Sequence, residues 1–222
     1  MIRVLVVDDS PTMRAIICTL LRRDPAIEIV GTAADAADAR EAIRLTNPDV
    51  VTLDLNMPGM NGLDFLERLM RLRPTPVIVV SAFTSEGAEA TVRALELGAV
   101  DCIAKPEGRT GELLVGGSDR LCQLVRIAAQ ARPRERQQPH LGGAQAPAAT
   151  SAEEPRLIAV GASTGGIEAL HELLSVFPAD CPPTLIVQHI DGRFAEAVAR
   201  RLNERCAPNV RLAEPDMPVR RG

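Results

Sequence analysis

Short apolar runs alternate with amphipathic stretches along most of this chain. That alternation constrains the fold more than any other feature. Residues 2–7, 27–30, 50–53, 77–80 and 102–104 are short apolar runs bounded by polar or turn-forming residues, the pattern of strands buried on both faces. Between them, apolar residues recur at helical spacing. Met13, Ile16, Ile17, Leu20 and Leu21 share one face behind Ser10-Pro11, where Ser suits an N-cap and Pro a first helical position. Leu63, Leu66, Leu69 and Leu72 share another behind Asn61-Gly62. Strands alternating with helices predict a parallel sheet covered by helices on both faces.

The same style resumes near the C-terminus. Strands are expected at 157–160 and 184–187, with a third short one at 210–213. Helices are expected behind Gly165-Gly166, with Ile167, Leu170 and Leu174 inward, and around Phe194, Val198 and Leu202. Residues 132–155 are rich in Pro, Gly, Ala and Gln and offer almost nothing to bury, so they read as a flexible linker. The chain therefore divides into 1–131, 132–155 and 156–222. The last piece is marginal as an independent fold at that size.

Composition excludes several classes. No apolar run approaches the roughly 20 residues of a membrane helix. The N-terminus meets Asp8 and Asp9 too early for a signal peptide. Five scattered cysteines, an odd number, suit reduced thiols in the cytoplasm. A net charge of -4 and 2% aromatics, without Trp or Tyr, argue against nucleic-acid partners. No direct membrane insertion is expected.

Ligands of open parallel sheets bind at the carboxyl ends of the strands. Asp8 and Asp9, then Asp54, Ser81 and Lys105, occupy four of those ends. Three converging carboxylates repel one another, and burial makes their charged forms costly. A divalent cation relieves both, and oxygen ligands suit magnesium. The remaining carboxylate can then attack a phosphoryl group whose oxygens are neutralised by the metal and a lysine. Taken singly, each residue has an ordinary reading as a turn former, cap or exit loop.

Together the motifs Val6-Val7-Asp8-Asp9-Ser10, Asp54-Leu55-Asn56-Met57-Pro58-Gly59-Met60-Asn61-Gly62, Ser81-Ala82 and Lys105-Pro106 resemble a response-regulator receiver domain. The resemblance implies a receiver-type, flavodoxin-like, doubly wound parallel sheet. It implies Asp54 as phosphoacceptor and Mg2+ held by Asp8, Asp9, Asp54 and the backbone of Asn56. Ser81 and Lys105 would bind the phosphoryl group, and a histidine kinase would donate it. Cys102 stands where many receivers carry a switching aromatic.

Gly161-Ala162-Ser163-Thr164-Gly165-Gly166 joins a strand to a helix. Gly-x-Ser-x-Gly fits a nucleophile elbow, with the helix N-terminus behind it able to hold an oxyanion. A glycine-rich turn also binds phosphate or simply permits close packing. Serine needs a base. Of three histidines, His140 lies in the linker and His171 lies mid-helix. His189 follows the strand expected to pair with that of Ser163.

Val160-Gly161-Ala162-Ser163-Thr164-Gly165-Gly166 and Val187-Gln188-His189, placed after a receiver and a linker, resemble chemotaxis protein-glutamate methylesterases. The resemblance implies a second, Rossmann-like α/β catalytic domain, of which 156–222 is the N-terminal portion. It implies Ser163 as nucleophile, His189 as base, and Thr164, Gly165 and Gly166 as the oxyanion elbow. The reaction would be hydrolysis of glutamate methyl esters, and deamidation of glutamines, on methyl-accepting chemoreceptors, with no cofactor for the esterase step. In the family a distant downstream Asp orients the His. Only 33 residues follow His189 here, which implies an incomplete catalytic domain with impaired turnover. Asp191 and Asp216 are poorly placed as substitutes. The alternative is a non-enzymatic phospho-accepting receiver that binds or competes for the kinase.

Overall fold

A computed structural model describes residues 1–57, 59–81, 84–105, 113–131 and 157–222. The chain forms two compact units, Met1–Glu135 and Arg136–Gly222. The expected linker 132–155, with His140, lies outside the described residues, as do Pro58 and Pro106.

In the first unit the elements run β1 (Ile2–Val7), α1 (Pro11–Leu21), β2 (Ile27–Ala33), α2 (Ala36–Thr46), β3 (Val50–Leu53), α3 (Gly62–Leu72), β4 (Val77–Ser81), α4 (Ser85–Glu96), β5 (Asp101–Ala104) and α5 (Leu113–Ala128). The five strands are parallel, in the order β2-β1-β3-β4-β5. This is the receiver-type α/β sheet the alternation predicts. Three strands are longer than their apolar runs: β4 and β5 by one residue each, Ser81 and Asp101, and β2 by three, through Gly31 and Thr32, because pairing of Val7 with Ala33 extends the ladder beyond the hydrophobic stretch.

Local chemistry sets the helix starts. Ser10 accepts from the Met13 N–H with Pro11 opening α1, Asp35 accepts from Ala37 and Asp38, and Asn61 accepts from Leu63; such caps satisfy orphan first-turn donors. Val4, Val6, Ile78 and Val80 pack with Ile17, Leu21, Leu121 and Val125 on the α1–α5 side. Leu5, Leu53, Val77 and Val79, alternating with them, are also fully buried. Both faces of the sheet are therefore covered, and the strand ends are left to carry chemistry.

The second unit holds β6 (Ile158–Ala162), α6 (Gly166–Ser175), β7 (Thr184–Gln188) and α7 (Gly192–Asn203). β6 and β7 pair in parallel, α6 packs on β6 and on α7, and Ile167, Leu170, Leu174, Phe194, Val198 and Leu202 form the core. The expected strand at 210–213 is not one. The Val210 N–H donates to the Asn203 side chain, and the Asn209 N–H donates to the Gly222 carbonyl. These loop contacts hold the segment in place of a ladder. Among the described residues no helix is long and apolar enough to cross a membrane.

Candidate functional sites at two sets of strand ends

The first site lies beyond the carboxyl ends of β1, β3, β4 and β5. Asp8 is fully buried, and Asp54 and Ser81 are 1% exposed. Side-chain oxygens of Asp8, Asp9 and Asp54 lie within 4.8 Å of one another. The Lys105 ammonium stands 2.7 Å from Asp54 Oδ2 and 2.9 Å from Asp8 Oδ2. Backbone amides hold the other oxygens: Ser10 N–H donates to Asp8 Oδ1 at 2.9 Å and Asn56 N–H to Asp54 Oδ1 at 3.1 Å. Asp8 Oδ2 is buried and accepts no well-aligned hydrogen bond. That oxygen, with its two carboxylate neighbours, is a donor set of the hard type that a divalent cation takes.

Burial pushes the Asp54 carboxyl above its usual value, against the weaker opposing pull of the Lys105 hydrogen bond and the Asn56 N–H. Desolvation works to lower Lys105, but its bonds and proximity to Asp54 and Asp8 outweigh that and raise it. Carboxyls perturbed in this way beside a held cation cluster at functional sites.

Two residues of the motif are held in ways that spacing does not show. Gly62 opens α3 directly under the acceptor loop. A Cβ there would stand 2.6 Å from Leu55 Cα and 2.7 Å from the Asp54 carbonyl, so only glycine lets the loop lie this close. Ser81 is placed at the rim as expected, but its hydroxyl donates to the Gly87 carbonyl at 3.3 Å, an oxygen that also accepts from Thr91 at 2.7 Å. Cys102 is buried at the position of the absent aromatic.

The second site lies beyond β6 and β7. Ala162 pairs with Gln188, and the His189 N–H donates to the Ala162 carbonyl at 2.8 Å. The ladder thereby brings Ser163 and His189 side by side, with Ser163 Oγ 3.2 Å from His189 Nδ1. Both residues are exposed. Gly165 takes a left-handed φ of 74°, and no side chain caps α6. The helix dipole favours negative charge at that end. Gly166 is buried and donates to the Ser163 carbonyl at 2.7 Å.

Of the other titratable residues, His171 sits within α6. Asp191 caps α7 and pairs with Arg193 at 2.7 Å. Asp216 occupies an exposed turn at a positive φ of 61°. Among the described residues no carboxylate bonds the His189 ring. Sequence reasoning missed one contributor: Gln188, whose side chain reaches the Ser163 turn. Its signal was its place in the Val187-Gln188-His189 motif, which carried no role for it, and its position as the last residue of a strand beside a glycine-rich turn.

Comparison with known proteins agrees with this two-part layout. Residues 4–114 match the response regulator receiver domain family, and residues 158–222 match the CheB methylesterase family. The chain is 52% identical over 212 residues to a protein-glutamate methylesterase/protein-glutamine glutaminase of Rhizobium etli, covering 95% of this chain and 60% of that protein. It is 49% identical to one of Caulobacter vibrioides, covering 96% of this chain and 61% of the relative. The chain thus spans about 60% of the length of these curated relatives. Among solved structures it is similar to the response regulator domain of Thermotoga maritima CheB, with a TM-score of 0.54 and 41% identity, covering 60% of this chain and 99% of that one. With that family matched across half its length, the chain belongs to the response regulator receiver domain family, and nearly all of it is similar to protein-glutamate methylesterase/protein-glutamine glutaminases.

Proposed function

We propose that the chain accepts a phosphoryl group on Asp54 and, under that control, hydrolyses glutamate methyl esters on chemoreceptors through Ser163, with glutamine deamidation by the same route. The observation that carries the enzymatic half is the 3.2 Å approach of Ser163 Oγ to His189 Nδ1, within hydrogen-bond reach of a nucleophile and its base. His189 takes the Ser163 proton at Nδ1 as Oγ attacks the ester carbonyl. The negative oxygen forms near the uncapped start of α6. The same proton then leaves with methanol, and water releases the acyl group from Ser163 by the reverse relay.

At the first site an Asp54 carboxylate oxygen attacks the phosphorus of the donor, a kinase phosphohistidine or a small phosphodonor. An acyl phosphate forms and the donor's bond to phosphorus breaks. The side chains of Asp8, Asp9 and Asp54 with the Asn56 carbonyl would hold magnesium, whose charge offsets the phosphoryl oxygens. Lys105 then pairs with the new phosphoryl group, and Ser81 exchanges the Gly87 carbonyl for one of its oxygens. The family resemblance supports relief of a receiver block on the catalytic cleft as the regulatory consequence, in the cytoplasm.

A second reading is favoured by the lack of a carboxylate on the His189 ring among the described residues. Without an orienting acid, turnover in such triads falls by about four orders of magnitude, and the chain would act as a phospho-acceptor competing for the kinase. Methanol release from a methylated receptor fragment decides between them, run with magnesium and a small phosphodonor against Ser163→Ala and Asp54→Asn. Release lost in Ser163→Ala and reduced in Asp54→Asn is the expected result. No release, with normal phosphoryl uptake at Asp54, would leave only the second reading.

A further inference from the structure

Gln188 ends β7, and its side chain turns back across the strand ends. Its amide nitrogen donates to the Ser163 carbonyl at 2.9 Å and to the His189 carbonyl at 3.3 Å. A primary amide has two N–H donors, so both contacts can be made at once. The opposite orientation would set the amide oxygen against two carbonyl oxygens, so the bonding partners decide which end points where. The amide oxygen is consequently buried without a partner. An unpaired buried acceptor is rare and calls for a reason.

The reason lies at the start of α6. Gln188 Oε1 occupies the space that a side chain on Gly166 would need: a Cβ there would overlap Oε1, lie 3.1 Å from Gln188 Cδ and come within 2.8 Å of Ala162 Cβ. One side chain therefore touches three parts of the site. It ties the carbonyl of the serine to the carbonyl of the histidine and lies against the first residue of the helix behind them. The Ser163 carbonyl also accepts from the Gly166 N–H at 2.7 Å, so it is held from two directions.

We propose that Gln188 is a positioning residue that sets the distance and alignment between Ser163 Oγ and the His189 ring. It reaches no substrate atom itself and acts through the backbone of both partners. The inference rests on Ser163 and His189 being nucleophile and base. A purely structural role for Gln188, clamping the end of the two-stranded sheet, would leave the Ser163–His189 interaction intact once the unit is folded.

The test uses the 222-residue chain and reads that interaction directly. The His189 ring nitrogens are followed by NMR chemical shift at one fixed pH in the native chain, in Ser163→Ala, in Gln188→Met and in the double variant. Methionine keeps the length and bulk of glutamine without its amide. Gln188→Asn, which keeps the amide but falls one methylene short, is the second variant should the first fail to fold. In parallel, Ser163 is labelled with a fluorophosphonate probe, with Ser163→Ala as the blank. The expected result has three parts. Ser163→Ala moves the His189 Nδ1 chemical shift in the native background. It displaces it by less than a third as much in either Gln188 background. Labelling of Ser163 slows about tenfold in the Gln188 variants and changes its pH profile. An undiminished Ser163 effect in the Gln188 backgrounds, with labelling as fast as native, would overturn the positioning role while leaving nucleophile and base in place. No labelling of the native chain, with no effect of Ser163→Ala on His189, would overturn the nucleophile–base reading and the inference with it.

Discussion

Asp8, Asp54 and Ser81 are 0%, 1% and 1% exposed at the first set of strand ends, whereas Ser163 and His189 are exposed at the second. Both sites follow the same topological rule, with side chains projected from the loops that leave parallel strands. They differ in what flanks the strands. β1, β3 and β4 each have a neighbour on both sides, and β3 and β4 are buried at every residue. β6 and β7 pair only with each other, and their residues alternate between half-buried and exposed. Leu185 and Val187 on β7 are 43% and 73% exposed. Sheet width therefore sets the dielectric in which each site works. In the wide sheet charges are desolvated and must neutralise one another. In the narrow one, backbone bonds and the Gln188 amide hold the geometry.

The largest effect should come from removing a charge where charges are sealed. Lys105→Met leaves Asp8 and Asp54 facing each other with no ammonium between them. Breaking a buried pair on one side typically costs 3–5 kcal/mol. Lys105 is 16% exposed, so a loss of about 3 kcal/mol is expected, partly restored by magnesium binding to the folded state. Ser163→Ala and His189→Ala should each stay within about 0.5 kcal/mol, the range of exposed substitutions. The chain has no Trp or Tyr, so urea titrations followed by far-UV circular dichroism are the measurement. Equal losses at both sites would break the contrast.

Backbone packing should sharpen the comparison at intermediate size. Gly62→Ala drives a Cβ into the backbone of Leu55 and Asp54, which has no flexible side chain to yield. About 2 kcal/mol is expected, as for overpacking of a closed site, with phosphoryl uptake slowed at least tenfold as the acceptor loop shifts. Gly165→Ala meets no atom within 4 Å but must hold φ at 74°, a left-handed penalty of about 1 kcal/mol. Its effect should fall on Ser163 labelling and leave phosphoryl uptake unchanged. A Gly62→Ala chain that takes up phosphoryl groups at the native rate would show that the acceptor loop relaxes freely.

How much of this was readable beforehand follows from the same contrast. Apolar runs announced every strand of the wide sheet, because burial on both faces leaves an unbroken hydrophobic signature. The acidic pair, Asp54, Ser81 and Lys105 were legible because strand ends are fixed once the strands are. Ser163 and His189 were legible from a glycine-rich turn and a strand-end position. Three things were not. The last residues of β2 are polar or small, and only pairing with β1 makes them strand. Residues 210–213 have strand-like composition, but the Asn203 side chain and the Gly222 carbonyl take their backbone. The roles of Gln188 and Gly62 depend on atoms brought close across the fold, which no periodicity records.

The smallest effect isolates the ionisation of one carboxyl. Burial raises Asp54 above its ordinary value of 3.8, so the folded state binds its proton more readily than the unfolded state does. The sign follows from linkage: below 3.8 both states are protonated and the group's favourable contribution is complete. As pH rises through the raised folded value, that contribution is lost, because the folded chain must then keep a desolvated charge. Asn is close in shape to a protonated Asp, so Asp54→Asn should match native stability at acid pH. It should become the more stable of the two across that interval and keep that advantage above it, read as a higher Tm. Magnesium should narrow or reverse the gap by binding the native carboxylate cluster. A native chain more stable than Asp54→Asn at neutral pH without metal would mean that the Lys105 ion pair outweighs desolvation, and that the sealed site is stabilising in itself rather than held ready for a ligand.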